Sequence, residues 1–304
     1  MKTIAPDYYR DFKCISDRCR HSCCIGWEID IDPETAEYYK AIDGELGEKL
    51  KNCIKAENGS SRFVPDRDER CPFLQRDGLC EIISKLGEES LCQICADHPR
   101  FRNFFADSIE IGLGLCCEAA AELITKKAGK TELIILDNDG FDDEADSEET
   151  ELLAFRQSAV AIAQDREFTV EERLENLQIF CGFTLLEFNF HEWADTLHGL
   201  ERLSSSWDNY IELLCNAKST AIPQELQIPF EQLLVYFLYR HVPSALYDGD
   251  INSKIGFAII SIQILAAMAN ESKEDIAELA RMYSAEIEYS DENLEIIFEK
   301  LTEI

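Results

Sequence analysis

The chain has 304 residues, 46% of them apolar, with 29 Lys and Arg against 60 Asp and Glu, a formal net charge of −31. That length and apolar content are enough for a hydrophobic core without disulfide support. The charge excludes nucleic acid and anionic membrane surfaces as partners and favours a cationic one, such as a lysine-bearing protein, although solubility accounts for most of it.

The opening MKTIAPDYYRD has no apolar run of the secretory kind and turns polar at once, so a cytoplasmic protein is expected. Cys14, Cys19, Cys23 and Cys24 follow within eleven residues, and Cys71, Cys80, Cys92, Cys95, Cys116 and Cys117 come later. Asp32-Pro33-Glu34 reads as a helix start, with Asp as cap and Pro in the first turn, leading toward Asp43-Gly44. Ser60–Gly78 is turn-rich and charged. Glu118 to Lys127 suits a helix that stops near Gly129. Leu133–Leu136 suits a short strand. Asp137–Glu149 reads as an acidic linker, because it lacks the ordered acidic spacing of a calcium loop.

From Glu151 onward the pattern is helical. Leu152, Leu153, Phe155, Ala159, Ile162 and Ala163 recur at helix spacing, and Thr169-x-x-Glu172 predicts a capping box. Ser206, Ser272 and Ser290 are expected as further caps. Pro229 opens the apolar run FEQLLVYFLYRHV and Pro243 closes it. Ile255 to Ala269, the most apolar stretch, is too short to span a bilayer and reads as a helix buried on all sides. The expected fold is mainly α, with an irregular Cys-rich N-terminal metal-binding part packed on a C-terminal helical domain. Its divisions are a Cys-rich region at 1–133, an acidic linker at 134–150 and an all-helical domain at 151–304.

In a reducing compartment clustered thiols more often mark metal than disulfides, and thirteen cysteines cannot all pair. Cys53, Cys181 and Cys215 are expected to be small buried hydrophobes. Thiolates suit zinc or iron–sulfur clusters. Only Cys92–Cys95 has the spacing of a zinc knuckle. Adjacent cysteines such as Cys23 and Cys24 point different ways, which favours a larger cluster or two sites. Neither the ferredoxin run nor the radical spacing C-x3-C-x2-C is present, since Gly26 stands where the last cysteine of the latter would fall. An iron–sulfur cluster is favoured, with zinc as the alternative.

The strings CRHSCCIGWEIDID, CPFL, DGLCEI, CADHPRF and LCCEAA, with YFLYRHVPSALYDGDINSKIGFAIIS downstream, resemble the flagellin lysine-N-methylase family over most of the chain. That family belongs to a broader group of zinc- or iron-chelating CxxCxxCC proteins. The resemblance places the family's cysteine pattern on Cys14, Cys19, Cys23, Cys24, Cys71, Cys80, Cys95 and Cys116, with Cys92 and Cys117 outside it. It implies methyl transfer from S-adenosylmethionine to lysine side chains of a flagellin-like protein, and a bound iron–sulfur cluster, 4Fe-4S being favoured. A non-enzymatic iron–sulfur or zinc protein, acting as carrier, sensor or interaction module, is the alternative.

No motif locates S-adenosylmethionine. Gly112-Leu113-Gly114 is half of a dinucleotide-binding signature, without the alternating strands and helices around it. The non-cysteine candidates cluster in YFLYRHVPSALYDGD. Tyr236 and Arg240 share one helix face, and Arg240 there wants a carboxylate, from the methionine part of the cofactor or from the protein itself. Tyr236, Arg240 and Asp250 are the expected cofactor-binding residues, and Tyr247 and Asp248 the expected catalytic pair, removing a proton from lysine. The alternative is that Arg240 pairs with a structural carboxylate and the tyrosines are core. His98 is either a ligand or partner to one, or a structural histidine, and His241 is expected to interact with the end of its helix. Only a neutral amine can attack a methyl group, so a methylase must lower the lysine pKa locally despite the acidic surroundings.

Overall fold

The computed structural model describes every residue except 28, 58, 141–145, 184–186 and 303–304. The chain forms two compact units, one of Met1–Phe12 with Phe101–Ile304 and one of Lys13–Arg100. In chain order the elements are β1 (Lys2–Pro6), β2 (Asp30–Ile31), α1 (Pro33–Lys40), α2 (Gly44–Cys53), β3 (Ile54–Glu57), β4 (Ser60–Phe63), α3 (Glu81–Leu86), α4 (Gln93–Asp97), β5 (Arg100–Phe104), β6 (Ser108–Leu113), α5 (Glu118–Thr125) and β7 (Leu133–Asn138). The helices α6 (Ser147–Ala163), α7 (Val170–Cys181), α8 (Phe190–Gly199), α9 (Trp207–Asn216), α10 (Gln227–His241), α11 (Ala245–Asp248), α12 (Ile251–Glu271), α13 (Ile276–Ile287) and α14 (Asp291–Thr302) follow.

The fold is mainly α, as expected. The sequence divisions at 133 and 150 differ from the compact units, which break after Phe12 and after Arg100. The reason is sheet pairing between distant segments. β1 lies parallel to β6, with Lys2 opposite Ser108, and antiparallel to β7, with Ile4 opposite Ile135, in a sheet of order β5-β6-β1-β7. The expected strand at Leu133–Leu136 is therefore β7, two residues longer. The expected acidic linker loses its first residues to that strand and its last to α6, and residues 141–145 of it lie outside the described residues.

The Lys13–Arg100 unit has its own core. Its sheet, of order β2-β4-β3, is antiparallel and packs Phe63 against Tyr39 and Phe73, with ring centroids 6.1 and 5.0 Å apart. Asp32 caps α1 as expected, its carboxylate accepting from Thr35 N at 2.9 Å. The same carboxylate accepts from Gln93 N at 2.8 Å and so ties α1 to α4.

In the larger unit α10 and α12 are apolar nearly all round, and burial follows, because a helix without a polar face must be covered on every side. Every residue of α12 from Ser253 to Met268 is buried except Gln263, which is half-buried. Among the described residues α12 is also the one helix long and apolar enough to cross a bilayer, and it is mostly buried inside the unit. The capping box of α7 forms: Glu172 N donates to Thr169 Oγ1 at 3.3 Å and Thr169 N to Glu172 Oε2 at 2.7 Å. Two expected caps differ. Ser206 precedes α9 without capping it and instead shares a hydroxyl hydrogen bond with Ser204 at 2.8 Å. Asp275, not Ser272, caps α13, because its carboxylate reaches Ala277 N at 2.8 Å. Ser290 does accept from Asn293 N at 3.3 Å.

Gly112 has a packing reason rather than a phosphate-binding one. It lies in β6, and a Cβ there would fall 2.2 Å from the Phe101 ring.

Candidate functional site

The Lys13–Arg100 unit gathers thiols. Cys92 is buried in its core with Tyr39, Phe63, Phe73 and Ile82, and Cys71, Cys80 and Cys95 pack against that core. Burial pushes the Cys71 thiol up to about 12, and the nearby Cys24 and Cys80 add to it. Cys80 is raised for the same reason, with Cys24 and Cys92 beside it. Cys92 and Cys95 share a hydrogen bond that lowers the first and raises the second. A hydrogen bond from Cys23 lowers Cys24 to about 7 in spite of burial. Cys14 and Cys23 are exposed and Cys19 is half-buried.

Five neighbouring sulfurs make a soft donor set, whose chemistry suits zinc or iron. Most of them are costly to ionise without a cation, so a metal would supply the missing charge. No three His, Cys, Asp or Glu side chains among the described residues stand close enough to hold an ion. Zinc or an iron–sulfur cluster thus fits the donors by their chemistry, and ligation would require the sulfurs to close in on the ion. His98 is half-buried here, and burial together with Arg100 lowers it to about 4, so it is neutral at pH 7.

Cys116 belongs to the larger unit. It is buried there, raised by burial to about 12, and interacts with Tyr289 and Arg240. Tyr236 and Arg240 do come together: Arg240 Nη1 donates to Tyr236 Oη at 2.7 Å. The carboxylate Arg240 wants is Glu288, with Nε 3.4 Å from Glu288 Oε1 and Nη2 3.2 Å from its backbone oxygen. Tyr236 Oη donates to the same carboxylate and accepts from Leu115 N at 3.3 Å. His241 Nε2 completes the group, 2.6 Å from Glu288 Oε1. Burial opposes ionisation of Glu288, but Arg240 and His241 overcome it and hold the carboxyl below its usual range. Burial keeps His241 low and neutral. The guanidinium lies over Phe101 and Tyr289, about 5 Å from each ring centroid. Tyr236, Arg240, His241 and Glu288 are thus mutually satisfied, the arrangement in which Arg240 pairs with a structural carboxylate.

Tyr247, Asp248 and Asp250 occupy a different place, the turn from α11 into α12. Tyr247 is 84% exposed. Asp248 and Asp250 line a cleft of about 520 Å³ with Lys254, Asp291, Leu294, Glu295, Phe298, Glu299 and Thr302. Asp250 caps α12, accepting from Ser253 N at 3.0 Å, and also accepts from Thr302 Oγ1 at 2.8 Å. Those bonds outweigh burial and hold Asp250 below the usual carboxylate range. Lys254 is buried, its ammonium 2.7 Å from Asp248 Oδ2 and 3.7 Å from the centroid of the Phe298 ring. Asp291, Glu295 and Glu299 recur every four residues along α14, so they form one acidic stripe beside that ammonium. The cleft can receive a cation and already holds one.

Sequence reasoning missed Glu288, Lys254, the α14 stripe and the company Cys92 keeps. The stripe was visible as spacing. Glu288 and Lys254 carried no local signal, because each is defined by a partner from another helix.

Residues 183–304 match the family model of the FliB lysine N-methylase C-terminal domain. The chain is 28% identical over 126 residues to the lysine-N-methylase of Salmonella choleraesuis, covering 38% of this chain and 31% of that protein. It is 28% identical over 126 residues to the flagellar biosynthetic protein FliU of Salmonella muenchen, covering 75% of that protein. The lysine-N-methylase of Salmonella typhimurium is likewise 28% identical over 126 residues. The aligned part spans about a third of the two lysine-N-methylases, 31% of each. No solved structure matches the chain.

Proposed function

We propose, from the match of residues 183–304 to the FliB lysine N-methylase C-terminal domain family, that this chain methylates lysine side chains of a protein such as flagellin, with S-adenosylmethionine as methyl donor. The observation that carries the reading is that every residue lining the acidic cleft falls inside the matched segment.

Asp248, Asp291, Glu295 and Glu299 would attract the substrate ammonium, and Tyr247 would stand beside its path. The amine must shed its proton before it attacks. The buried Lys254 ammonium favours that loss, because a like charge nearby disfavours a second cation. The amine lone pair then forms the N–C bond as the methyl–sulfur bond breaks, and S-adenosylhomocysteine leaves. Alignment of amine and methyl supplies most of the acceleration in such a step. Asp248 is the proposed proton acceptor, Asp250 holds the start of α12 in place, and Tyr236 and Arg240 would support the cleft from the helical core. Methyl transfer to nitrogen needs no redox chemistry, so a zinc ion or iron–sulfur cluster held by the thiols of the Lys13–Arg100 unit would serve to fix that unit.

A second reading, a metal-binding module without catalysis, draws on those thiols, which lie outside the matched segment. One experiment separates the two. Anaerobically purified protein is analysed for iron, sulfide and zinc, titrated with S-adenosylmethionine by calorimetry, and incubated with flagellin and methyl-labelled donor. Label on flagellin lysines supports the methylase. Bound metal with neither donor binding nor label sinks it.

A further inference from the structure

The sheet of order β5-β6-β1-β7 has two edges, β5 and β7. An edge strand presents unpaired backbone groups, and proteins guard it with charge, proline or a covering segment. β5 carries Arg100 and Arg102, and Arg102 is exposed. β7, reading LIILDN, has no charge before Asp137 and no proline. Leu133 is 47% exposed and Ile135 56%, although both are large and apolar. No strand among the described residues pairs with the outer side of β7.

The register identifies the open backbone groups. Asp7 N donates to Glu132 O at 2.8 Å, and Ala5 stands opposite Ile134. Bonds between antiparallel strands fall on alternate residues, so Glu132 and Ile134 face β1. The N–H and C=O groups of Leu133 and Ile135 therefore point away from β1, in the regular stretch before the shift between Thr3 and Ile4.

Charge changes along the same edge. Lys130 and Glu132 offset each other at its start. From Asp137 to Glu149 the sequence holds eight Asp and Glu and no Lys or Arg. Asp139 is paired with the amino group of Met1, and Asp137 is exposed. A second copy of the chain, with its net charge of −31, is repelled from this edge, whereas a basic segment is attracted to it.

We propose that β7 is a docking edge for an extended basic segment of a partner protein, which adds to the sheet as an antiparallel strand. Its backbone bonds Leu133 and Ile135, apolar side chains at alternate positions cover theirs, and Lys or Arg at its N-terminal end lies beside Asp137. Docking here is independent of methyl transfer at the acidic cleft.

The test uses the intact protein and a fluorescein-labelled peptide, Lys-Lys-Arg-Thr-Val-Thr-Val-Thr, read by anisotropy. Saturable binding is expected. Proline is tolerated on a sheet edge, so Ile135→Pro removes an outward N–H that the fold does not use and should weaken binding about tenfold or more. Asp137→Lys should weaken it severalfold, less so at high salt. The same peptide N-methylated on its valines should not bind, and one with glutamate in place of Lys and Arg should bind more weakly. No binding, equal affinity in Ile135→Pro, or equal affinity for the glutamate peptide overturns the proposal. So does a dimer in sedimentation that Ile135→Pro abolishes, which assigns the edge to a second copy. If Ile135→Pro fails to fold, the N-methylated peptide on wild-type protein decides.

Discussion

Glu288 is the residue whose replacement tests the helical core most directly. It is buried, and one carboxylate serves Arg240, Tyr236 and His241. Glu288→Gln keeps the shape and an acceptor oxygen but removes the charge opposite a buried guanidinium. Breaking one side of a buried pair costs about 3–5 kcal/mol, because the remaining charge is left uncompensated. For a unit of this size each kcal/mol moves the midpoint by about 2–4 °C, so a fall of roughly 6–20 °C is expected. Arg240→Met added to Glu288→Gln removes the stranded charge as well. The double variant should regain at least about 1 kcal/mol over Glu288→Gln alone, since apolar replacement of a buried pair is often neutral. Thermal and urea unfolding, followed by circular dichroism, measure both. A Glu288→Gln change within about 0.5 kcal/mol of wild type, the range of an ordinary surface substitution, would refute the reasoning. So would a double variant whose loss equals the sum of the two single losses.

Reversing the acidic stripe with Asp291→Lys, Glu295→Lys and Glu299→Lys should lower kcat/KM for a lysine-bearing substrate by tenfold or more, with the loss mainly in KM and shrinking at high salt; an unchanged KM would remove the cleft from the binding path. In chelator-treated protein His98 should make stability depend on pH. Its folded value near 4 lies below the usual 6.5, so the unfolded chain takes up the proton first as pH falls. The stability it contributes is then present above 6.5 and lost progressively toward 4, by about 1–2 kcal/mol once partial exposure is allowed for. Urea midpoints at pH 7 and 4.5 should converge in His98→Asn, and a slope unchanged by that substitution would assign the effect elsewhere. Gly112→Ala should destabilise the larger unit by about 1–3 kcal/mol through overpacking on the Phe101 ring, and Phe101→Leu should recover part of it.

Local chemistry carried much of the fold into the sequence. The Thr169–Glu172 box, the Asp32 cap, the end of α10 just before Pro243, and the buried run from Ile255 were legible because each depends on neighbours a few residues away, whereas α10 starts at Gln227, ahead of Pro229. The clustering of thiols was legible for the same reason, while the acidic spacing of α14, present in the sequence, took on meaning only beside Lys254. What tertiary structure alone decided is who meets whom across the chain. β1 finds β6 more than a hundred residues on, which moves the first compact boundary to Phe12. Arg240 finds its carboxylate in Glu288, and Lys254 turns a solvent-facing Asp248 into part of a cleft. Cys92 sits among the thiols of one unit and Cys116 beside Arg240 in the other, and a sulfur's use depends on the groups packed around it. Hydrogen-bond donors and opposite charges act over a few ångströms of space, and no count of residues along the chain reports that distance.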